Sequence, residues 1–440
     1  MEQKQTGLLS GSATFFVASI IVYLARFATS VIVARTLGVE GKGTYTLVLM
    51  VGALLPMFLS FGMNSSITYL TASRKFTSSN LLYFSIISSI LLSIIGGFVF
   101  YFAYTAFLST SFLEGINSIE IFLVLAVLPI NLLMLFLTSI IQGKQQLLAF
   151  NLVNILRVIS NLGFQIISAL LHAGVIGAII AWLLSNFVAL IVTLWLLRSD
   201  FTMAENNPRR ITRPALSYGI KSYIANLFTF FNYRLDSFLV NFYAGAASVG
   251  LYSVSVSTAE LIWYIPNSIS SALFPKSSTI DKGTAANLTA QACRQTLVVS
   301  SLLALFLAVT GPFLIPFIYG DNFQDAVPAF LWLLPGILSV SLSKIISANL
   351  SGTGKPQYTT YTSAITVVIT IALDIALIPL LGIVGAAIAS SIAYIASAIL
   401  SVWWFSRETH TNWLDVIIPK RDDLSILLKQ TQKLVNNWIK

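Results

Sequence analysis

The sequence predicts an all-α polytopic membrane protein with twelve transmembrane helices, arranged as two six-helix lobes that form a V-shaped central cavity. Of its 440 residues, 56% are hydrophobic and 9% are charged, and the mean hydropathy is +0.85. Soluble globular domains do not have this composition. Apolar runs of about 20 residues, the length that crosses ~30 Å of hydrocarbon, recur along the chain. The two halves of the chain also resemble each other at low similarity.

The apolar runs place the twelve spans in two sets of six. The first set covers roughly residues 14–36, 43–63, 81–107, 119–142, 150–171 and 174–198, and the second covers 218–243, 247–274, 294–319, 325–350, 359–381 and 383–406. We therefore expect an N-terminal lobe at 1–198, a cytoplasmic linker at 199–217, a C-terminal lobe at 218–406 and a cytoplasmic tail at 407–440. Apolar residues near a 3.6-residue period predict an amphipathic surface helix in this tail.

An internal repeat predicts how the two lobes are related. VARTLGVEGKGTYTLV, from Val33, matches VNFYAGAASVGLYSVS, from Val240, at an offset of 207 residues. AGVIGAIIA, from Ala173, matches LGIVGAAIA, from Leu381, at an offset of 208. Two matches at nearly one offset indicate duplication. Because six spans is an even number, both halves would enter the membrane in the same direction.

The basic residues predict the orientation and exclude some functions. Of the 25 Lys and Arg residues, only Arg35 and Lys42 are counted on the side opposite the N-terminus, whereas most are on the same side as the N-terminus, so both termini are expected in the cytoplasm. Basic loops facing an anionic leaflet explain the net charge of +9 without a nucleic acid. With one cysteine and no histidine pair at metal spacing, we expect no metal and no other cofactor. The short outer connections leave little room for catalytic groups, so we expect no enzyme.

Ionisable residues inside the predicted spans indicate the functional site. They are Arg26, Arg157, Arg234, Lys344, Asp236, Glu260 and Asp374. Each costs roughly 2.5–3.5 kcal/mol at the centre of an isolated transmembrane helix, so each requires a partner, a hydrated cavity or a ligand. The bases exceed the acids by one charge, which favours anions. The planar guanidinium group of arginine suits phosphate in particular.

Polar residues at helical spacing accompany the arginines. Span 1 carries them at Ser19, Tyr23, Arg26 and Ser30, and span 5 at Asn154, Arg157, Asn161, Gln165 and Ser168. We interpret these two stripes as walls of a hydrated cavity, whereas the Ser and Thr stripe of span 11 is equally typical of helix packing. Arg26 then either pairs with a neighbouring acid or binds an anion from outside the protein. Arg234 and Asp236 point about 200° apart on a helix, so they cannot easily pair.

Four segments carry a resemblance to a known family. They are VARTLGVEGKGTYTL at 33–47, YGIKSY at 218–223, the stretch from Arg234 to Lys276, and SGTGKPQYTTY at 351–361. These segments resemble Wzx-type polysaccharide flippases, in the superfamily that also contains the MATE exporters and the lipid II flippases. The resemblance implies transfer of an undecaprenyl-pyrophosphate-linked oligosaccharide to the outer leaflet of a bacterial or archaeal cell membrane by alternating access. It also implies membrane lipids and polysaccharide polymerase components as partners.

The resemblance assigns roles to the charges inside the spans. The pyrophosphate would bind to Arg26, Arg234, Arg157 and Lys344, and the sugars would lie against Tyr23, Tyr233 and Tyr264. The carboxylates would couple transport to Na⁺ or H⁺ or act as structural charges; these are Asp236, Glu260 and Asp374. A MATE-like cation-coupled exporter of small organic molecules and a lipid II flippase remain alternatives. The basic surplus opposes the first, and the second typically has two further helices.

Overall fold

The computed structural model describes residues 2–201, 209–420 and 423. Every regular element in these residues is helical. The α-helices are α1 (Glu2–Leu59), α2 (Met63–Ala72), α3 (Ser78–Ala106), α4 (Ser118–Gly143), α5 (Leu147–Leu170), α6 (Gly174–Leu196), α7 (Arg209–Ala259), α8 (Tyr264–Ser277), α9 (Lys282–Tyr319), α10 (Ala326–Gly352), α11 (Gln357–Thr409) and α12 (Trp413–Ile417). Short 3₁₀ turns occur at Leu108–Thr110, Arg198–Asp200, Glu260–Trp263 and Asp321–Phe323.

The apolar helices confirm the prediction of an all-α, multi-pass membrane protein. Within the described residues, 9 helical stretches are long and apolar enough to cross a membrane. Three of these stretches are much longer than the ~20 residues that one crossing needs: Ile21–Leu59, Tyr223–Ser277 and Gln357–Thr409. Each is interrupted at a glycine with non-helical backbone angles, namely Gly38, Gly245 and Gly382. A total of twelve crossings, with these three stretches divided, stays a prediction.

The interrupting glycines occupy equivalent positions in the sequence repeat. Gly38 and Gly245, which are 207 residues apart, have φ/ψ angles of 67°/−169° and 77°/173°. Gly174 and Gly382, which are 208 residues apart, have φ angles of 63° and 57°. A side chain with a Cβ atom is strained in this region of backbone space, whereas glycine is not. The two matched segments therefore share both their sequence and their local backbone conformation.

The chain divides into two compact units. Unit 1 comprises Met1–Phe230 and Ser237–Leu251, and unit 2 comprises Phe231–Asp236 and Tyr252–Lys440. In unit 1, α4 packs against α1, α2, α3 and α6, while α5 packs against α1 and α6. In unit 2, α10 packs against α8, α9 and α11. The two units are defined by which residues contact each other in space. The lobe boundaries at 1–198 and 218–406 stay a prediction.

Two predicted segments fall partly outside the described residues. Residues 202–208 of the predicted linker and residues 424–440 of the predicted amphipathic tail helix are not among them. The remainder of the linker, from Arg209 onward, forms the first turns of α7.

The beginning of the tail is fixed to α9 in unit 2. Val416 of α12 is buried in an apolar cluster with Cys293 and Phe405. Arg294 of α9 donates two hydrogen bonds to the carboxylate of Asp423, with a distance of 2.6 Å from Nε to Oδ2 and 3.1 Å from Nη2 to Oδ1. Residues after the last predicted span therefore contribute to the packing of unit 2.

We expect Asp423→Asn to lower the melting temperature near neutral pH. The side chains of Arg294 and Asp423 are 9% and 3% exposed, and removing one member of a buried ion pair typically costs ~3–5 kcal/mol. Hydrogen bonding to Arg294 holds the pKa of Asp423 below its usual value of 3.8. Since the folded pKa is depressed, this contribution is complete above the pKa of an unfolded aspartate and is lost as the pH falls through the folded pKa.

The melting temperatures of the wild type and of Asp423→Asn should therefore converge as the pH falls below ~3.9. Asp415→Asn is the matched control, because Asp415 pairs with Lys420 at the surface, where the two side chains are 47% and 54% exposed. That substitution should have little effect. Identical melting curves for the wild type and Asp423→Asn at neutral pH would contradict the proposed role of this ion pair.

Candidate functional site

Unit 1 contains two in-span arginines without an acidic partner among the described residues. Arg26 of α1 is exposed, whereas Arg157 of α5 is partly buried and its Nη2 lies 3.4 Å from Oδ1 of Asn154. The two guanidinium groups are close enough to repel each other electrostatically. None of the ion pairs in the described part of the chain includes either arginine. Tyr23, one turn before Arg26, is partly buried.

The polar stripe on α5 serves two different purposes. Gln165 is 2% exposed, and its Nε2 donates to the Tyr45 hydroxyl at 3.0 Å and to the Ala178 carbonyl at 2.9 Å. These hydrogen bonds join α5 to α1 and α6, so Gln165 is a packing residue. The stripe predicted instead that Gln165 lines a hydrated cavity. Arg157, in the same stripe, is partly buried and takes part in no ion pair among the described residues.

Unit 2 contains a bidentate ion pair between α7 and the 3₁₀ turn that follows it. Nη1 of Arg234 lies 3.1 Å from Oε1 of Glu260, and Nη2 lies 3.3 Å from Oε2. The two side chains are 35% and 21% exposed. Glu260 therefore holds the guanidinium group of Arg234 in place, while leaving part of both side chains accessible.

Lys344 of α10 lies over a cluster of aromatic rings in unit 2. Its Nζ is 4.4 Å from the ring centroid of Trp263 and 5.5 Å from that of Tyr233. Tyr394 completes the cluster, with its ring 5.8 Å from Tyr233. Among the described residues, no carboxylate forms an ion pair with Lys344; its ammonium group is favoured by the aromatic faces and, at longer range, by the negative charge of Glu260. Tyr264, the next residue after Trp263, begins α8 and is partly buried.

Two carboxylates within the predicted spans are buried in unit 2. Asp236 is 4% exposed, and its Oδ2 accepts hydrogen bonds from the hydroxyls of Tyr252 at 2.6 Å and Ser390 at 3.2 Å. Asp374 is fully buried, and neither of its carboxylate oxygens has a hydrogen-bond partner among the described residues. Asp236 also repels Asp374 electrostatically. A buried carboxylate without donors is costly, so Asp374 requires a proton or a cation.

The sequence repeat pairs two tyrosines that have different hydrogen-bond partners. Tyr45 and Tyr252 are matched at an offset of 207, and each makes a side-chain hydrogen bond in its own unit. The partner of Tyr45 is the neutral amide of Gln165, whereas Tyr252 donates to the carboxylate of Asp236. The matched tyrosines therefore contact a neutral group in unit 1 and an acid in unit 2.

Sequence reasoning missed several residues at these sites. They are Lys42, Tyr252, Trp263, Ser390 and Tyr394. Lys42 was expected in an outer loop, yet it lies within α1 and is only 6% exposed. The match of Tyr252 to Tyr45 in the repeat was the one available signal, because the other contacts join residues that are distant in sequence.

Comparison with known proteins identifies the family. The family model described as "Polysaccharide biosynthesis protein" matches residues 8–281, more than half of the chain. The chain belongs to this polysaccharide biosynthesis family. A "Putative O-antigen transporter" of Shigella flexneri is 24% identical over 392 residues, which cover 85% of this chain and 92% of that protein. A "Probable low-salt glycan biosynthesis flippase" of Haloferax volcanii is 22% identical over 411 residues, which cover 91% and 84% of the two chains.

Solved structures show the same fold in two groups of membrane transporters. The lipid II flippase MurJ, in an inward closed conformation, aligns with a TM-score of 0.77 and 17% identity, covering 97% of this chain and 92% of that one. An inward-facing MATE family multidrug transporter aligns with a TM-score of 0.65 and 19% identity, covering 88% and 94%. Because these identities are low, the likeness establishes the fold alone.

Proposed function

We propose that this protein is a flippase that moves an undecaprenyl-pyrophosphate-linked oligosaccharide from the cytoplasmic to the outer leaflet by alternating access. The observation that carries the proposal is the pair Arg26 and Arg157, two basic side chains without an acidic partner among the described residues. Membership of the polysaccharide biosynthesis family supports it, as do relatives named as an O-antigen transporter and a glycan biosynthesis flippase.

A diphosphate would stabilise the two arginines of unit 1. Like charges that approach each other inside a membrane are costly, and an anion that binds both offsets the repulsion. Each guanidinium group can donate two parallel hydrogen bonds to phosphate oxygens. Arg234 and Lys344, in unit 2, are the other basic residues that we propose for binding the diphosphate. The sugars would lie against Tyr23, Tyr233 and Tyr264, since aromatic faces provide apolar contact area beside polar groups.

The membrane potential would favour the proposed direction of transport. The distribution of basic residues supports an orientation with both termini in the cytoplasm. When the inside of the membrane is negative, outward movement of negative charge is favourable by about 2.3 kcal/mol per charge per 100 mV. The membrane would be the bacterial or archaeal cell membrane, where membrane lipids surround the protein and polysaccharide polymerase components would receive its product.

The buried acids favour a contribution from a coupling cation. We assign Asp236 and Asp374 as a site for Na⁺ or H⁺, because a cation would neutralise two carboxylates that repel each other. Glu260 acts as the structural partner of Arg234. The same acids favour the second candidate function, a cation-coupled exporter of small organic molecules.

Reconstitution of the wild-type protein in proteoliposomes tests the function. A fluorescent undecaprenyl-pyrophosphate-linked oligosaccharide is incorporated, and the fraction reduced by external dithionite reports its movement between leaflets. We expect the glycolipid to move between leaflets faster than in protein-free vesicles. We expect no efflux of ethidium under a Na⁺ or H⁺ gradient. Ethidium efflux without glycolipid movement would support the exporter and contradict the flippase. Lipid II in the same assay tests the third alternative.

A further inference from the structure

Lys42 is a buried cation that the proposed function does not yet use. It is 6% exposed, and its Nζ donates a hydrogen bond to Oγ of Ser30 at 3.0 Å. Among the described residues, no carboxylate forms an ion pair with it, and the nearby Glu40 is exposed. Burial of an ammonium group with a single hydroxyl partner is unfavourable, so packing alone does not account for a lysine here.

The contact with Ser30 joins Lys42 to the basic residues of unit 1. Ser30 lies four residues after Arg26 on the same face of α1, which corresponds to a rise of ~6 Å along the helix. The break at Gly38 lies between Ser30 and Lys42 and allows residues 12 positions apart to meet. An anion that leaves Arg26 toward the Gly38 end of α1 would therefore reach Lys42 within about one helical turn.

A close backbone contact covers the segment that carries Lys42. A Cβ atom at Gly43 would lie 1.7 Å from the carbonyl oxygen of Ala246, and one at Gly250 would lie 2.0 Å from that of Val39. These glycines are matched in the sequence repeat, and both contacts lie within unit 1. Lys42, next to Gly43, is thus buried where two backbone segments touch without intervening side chains.

We propose that Lys42 and Ser30 form a second phosphate-binding position, which receives the anionic head of the lipid after Arg26 and Arg157. The position becomes accessible when residues 39–43 separate from residues 246–250. The ammonium group supplies charge and the hydroxyl supplies a directed hydrogen bond to a phosphate oxygen. This inference rests on the proposed function, and its ligand is the diphosphate of the lipid-linked oligosaccharide.

The first test replaces Lys42 with methionine, which has a similar length and no charge. Lys42→Met should lower the initial rate of translocation about tenfold, the factor expected for loss of one charge-assisted hydrogen bond. Its melting temperature should equal or exceed that of the wild type, because an unpaired ammonium is no longer buried. Lys75→Met is the matched control, since Lys75 is exposed over the ring of Tyr69, and it should keep the wild-type rate.

The second test restores the charge chemically. Lys42→Cys is made in a Cys293→Ala background, which removes the one native cysteine. Aminoethyl methanethiosulfonate then forms a disulfide with the thiolate, with loss of methanesulfinate, and leaves an ammonium group about as far from the backbone as that of lysine. We expect this reagent to restore transport and the uncharged methyl methanethiosulfonate to leave it slow.

Full activity of Lys42→Met, or a completely modified Lys42→Cys that stays inactive with the aminoethyl group, would overturn the inference. The proposed function is tested separately by Arg26→Ala. If Arg26→Ala is slow while Lys42→Met is fully active, only the second phosphate position is excluded. If Arg26→Ala is fully active, the proposed headgroup site fails, whatever the result at Lys42.

Discussion

Arg26→Ala should lower the initial rate of glycolipid translocation about 10- to 100-fold without lowering the melting temperature. Loss of a hydrogen bond to a charged group costs ~1.5–3 kcal/mol, which corresponds to this range of rates. Arg26 is exposed and has no ion-pair partner among the described residues, so its removal leaves no buried acid unpaired. The dithionite assay measures the rate, and a thermal melt of the purified protein measures the stability.

Arg26→Lys keeps the charge and removes the fork of donors, so it should retain part of the rate. Arg234 requires a different design, because Arg234→Ala alone would leave Glu260 without its ion-pair partner. The double variant Arg234→Ala/Glu260→Ala removes both members of the pair, and its translocation rate should be lower than that of the wild type. Wild-type rates in Arg26→Ala and in the double variant would contradict the assignment of these arginines to the headgroup.

Asp374→Asn should abolish the response of the protein to its coupling cation. The carboxylate of Asp374 is fully buried, has no hydrogen-bond partner among the described residues and is repelled by Asp236. Neutralising it with an amide removes that repulsion, so the melting temperature should not fall. The wild type should melt at a higher temperature in NaCl than in choline chloride if Na⁺ is the ion, and Asp374→Asn should show no such difference.

If H⁺ is the coupling ion, the wild-type rate should respond to a pH gradient and the rate of Asp374→Asn should not. Asp321→Asn serves as the matched control, because Asp321 is exposed in the 3₁₀ turn before α10, and it should behave as the wild type does. The coupling role would be contradicted if Asp374→Asn kept both the wild-type difference in melting temperature between NaCl and choline chloride and the wild-type response of the rate to a pH gradient.

The fold could be predicted from sequence because a membrane imposes simple constraints on composition and length. Apolar runs of spanning length identified the helical class, and the repeat identified Gly38 and Gly245 as equivalent. Periodicity could not show the non-helical backbone angles at which two helical segments meet at these glycines in α1 and α7. The packing of Val416 and Asp423 against α9 also went unpredicted, since a short helix after the last span carries little periodic signal.

The candidate site was predictable only in part, because helical spacing identifies a face but not what that face contacts. The cost of charge inside a membrane pointed to Arg26, Arg157 and Asp374 directly. The partner of Arg234 is 26 residues away, across the end of a helix, and no spacing rule selects Glu260 from other acids. Lys42 was assigned to the outer side because it falls between the first two predicted spans, and no spacing rule predicted that its side chain contacts Ser30 across the break at Gly38.

Translocation of two lipids that differ only in their diphosphate is the measurement that decides whether the basic residues act on the substrate head. One lipid is an undecaprenyl-pyrophosphate-linked oligosaccharide, and the other carries the same oligosaccharide on undecaprenol through an uncharged linkage. In vesicles that contain the wild-type protein, we predict that the first lipid moves between leaflets and that the second stays at the protein-free background. Equal rates for the two lipids would contradict a cationic headgroup site.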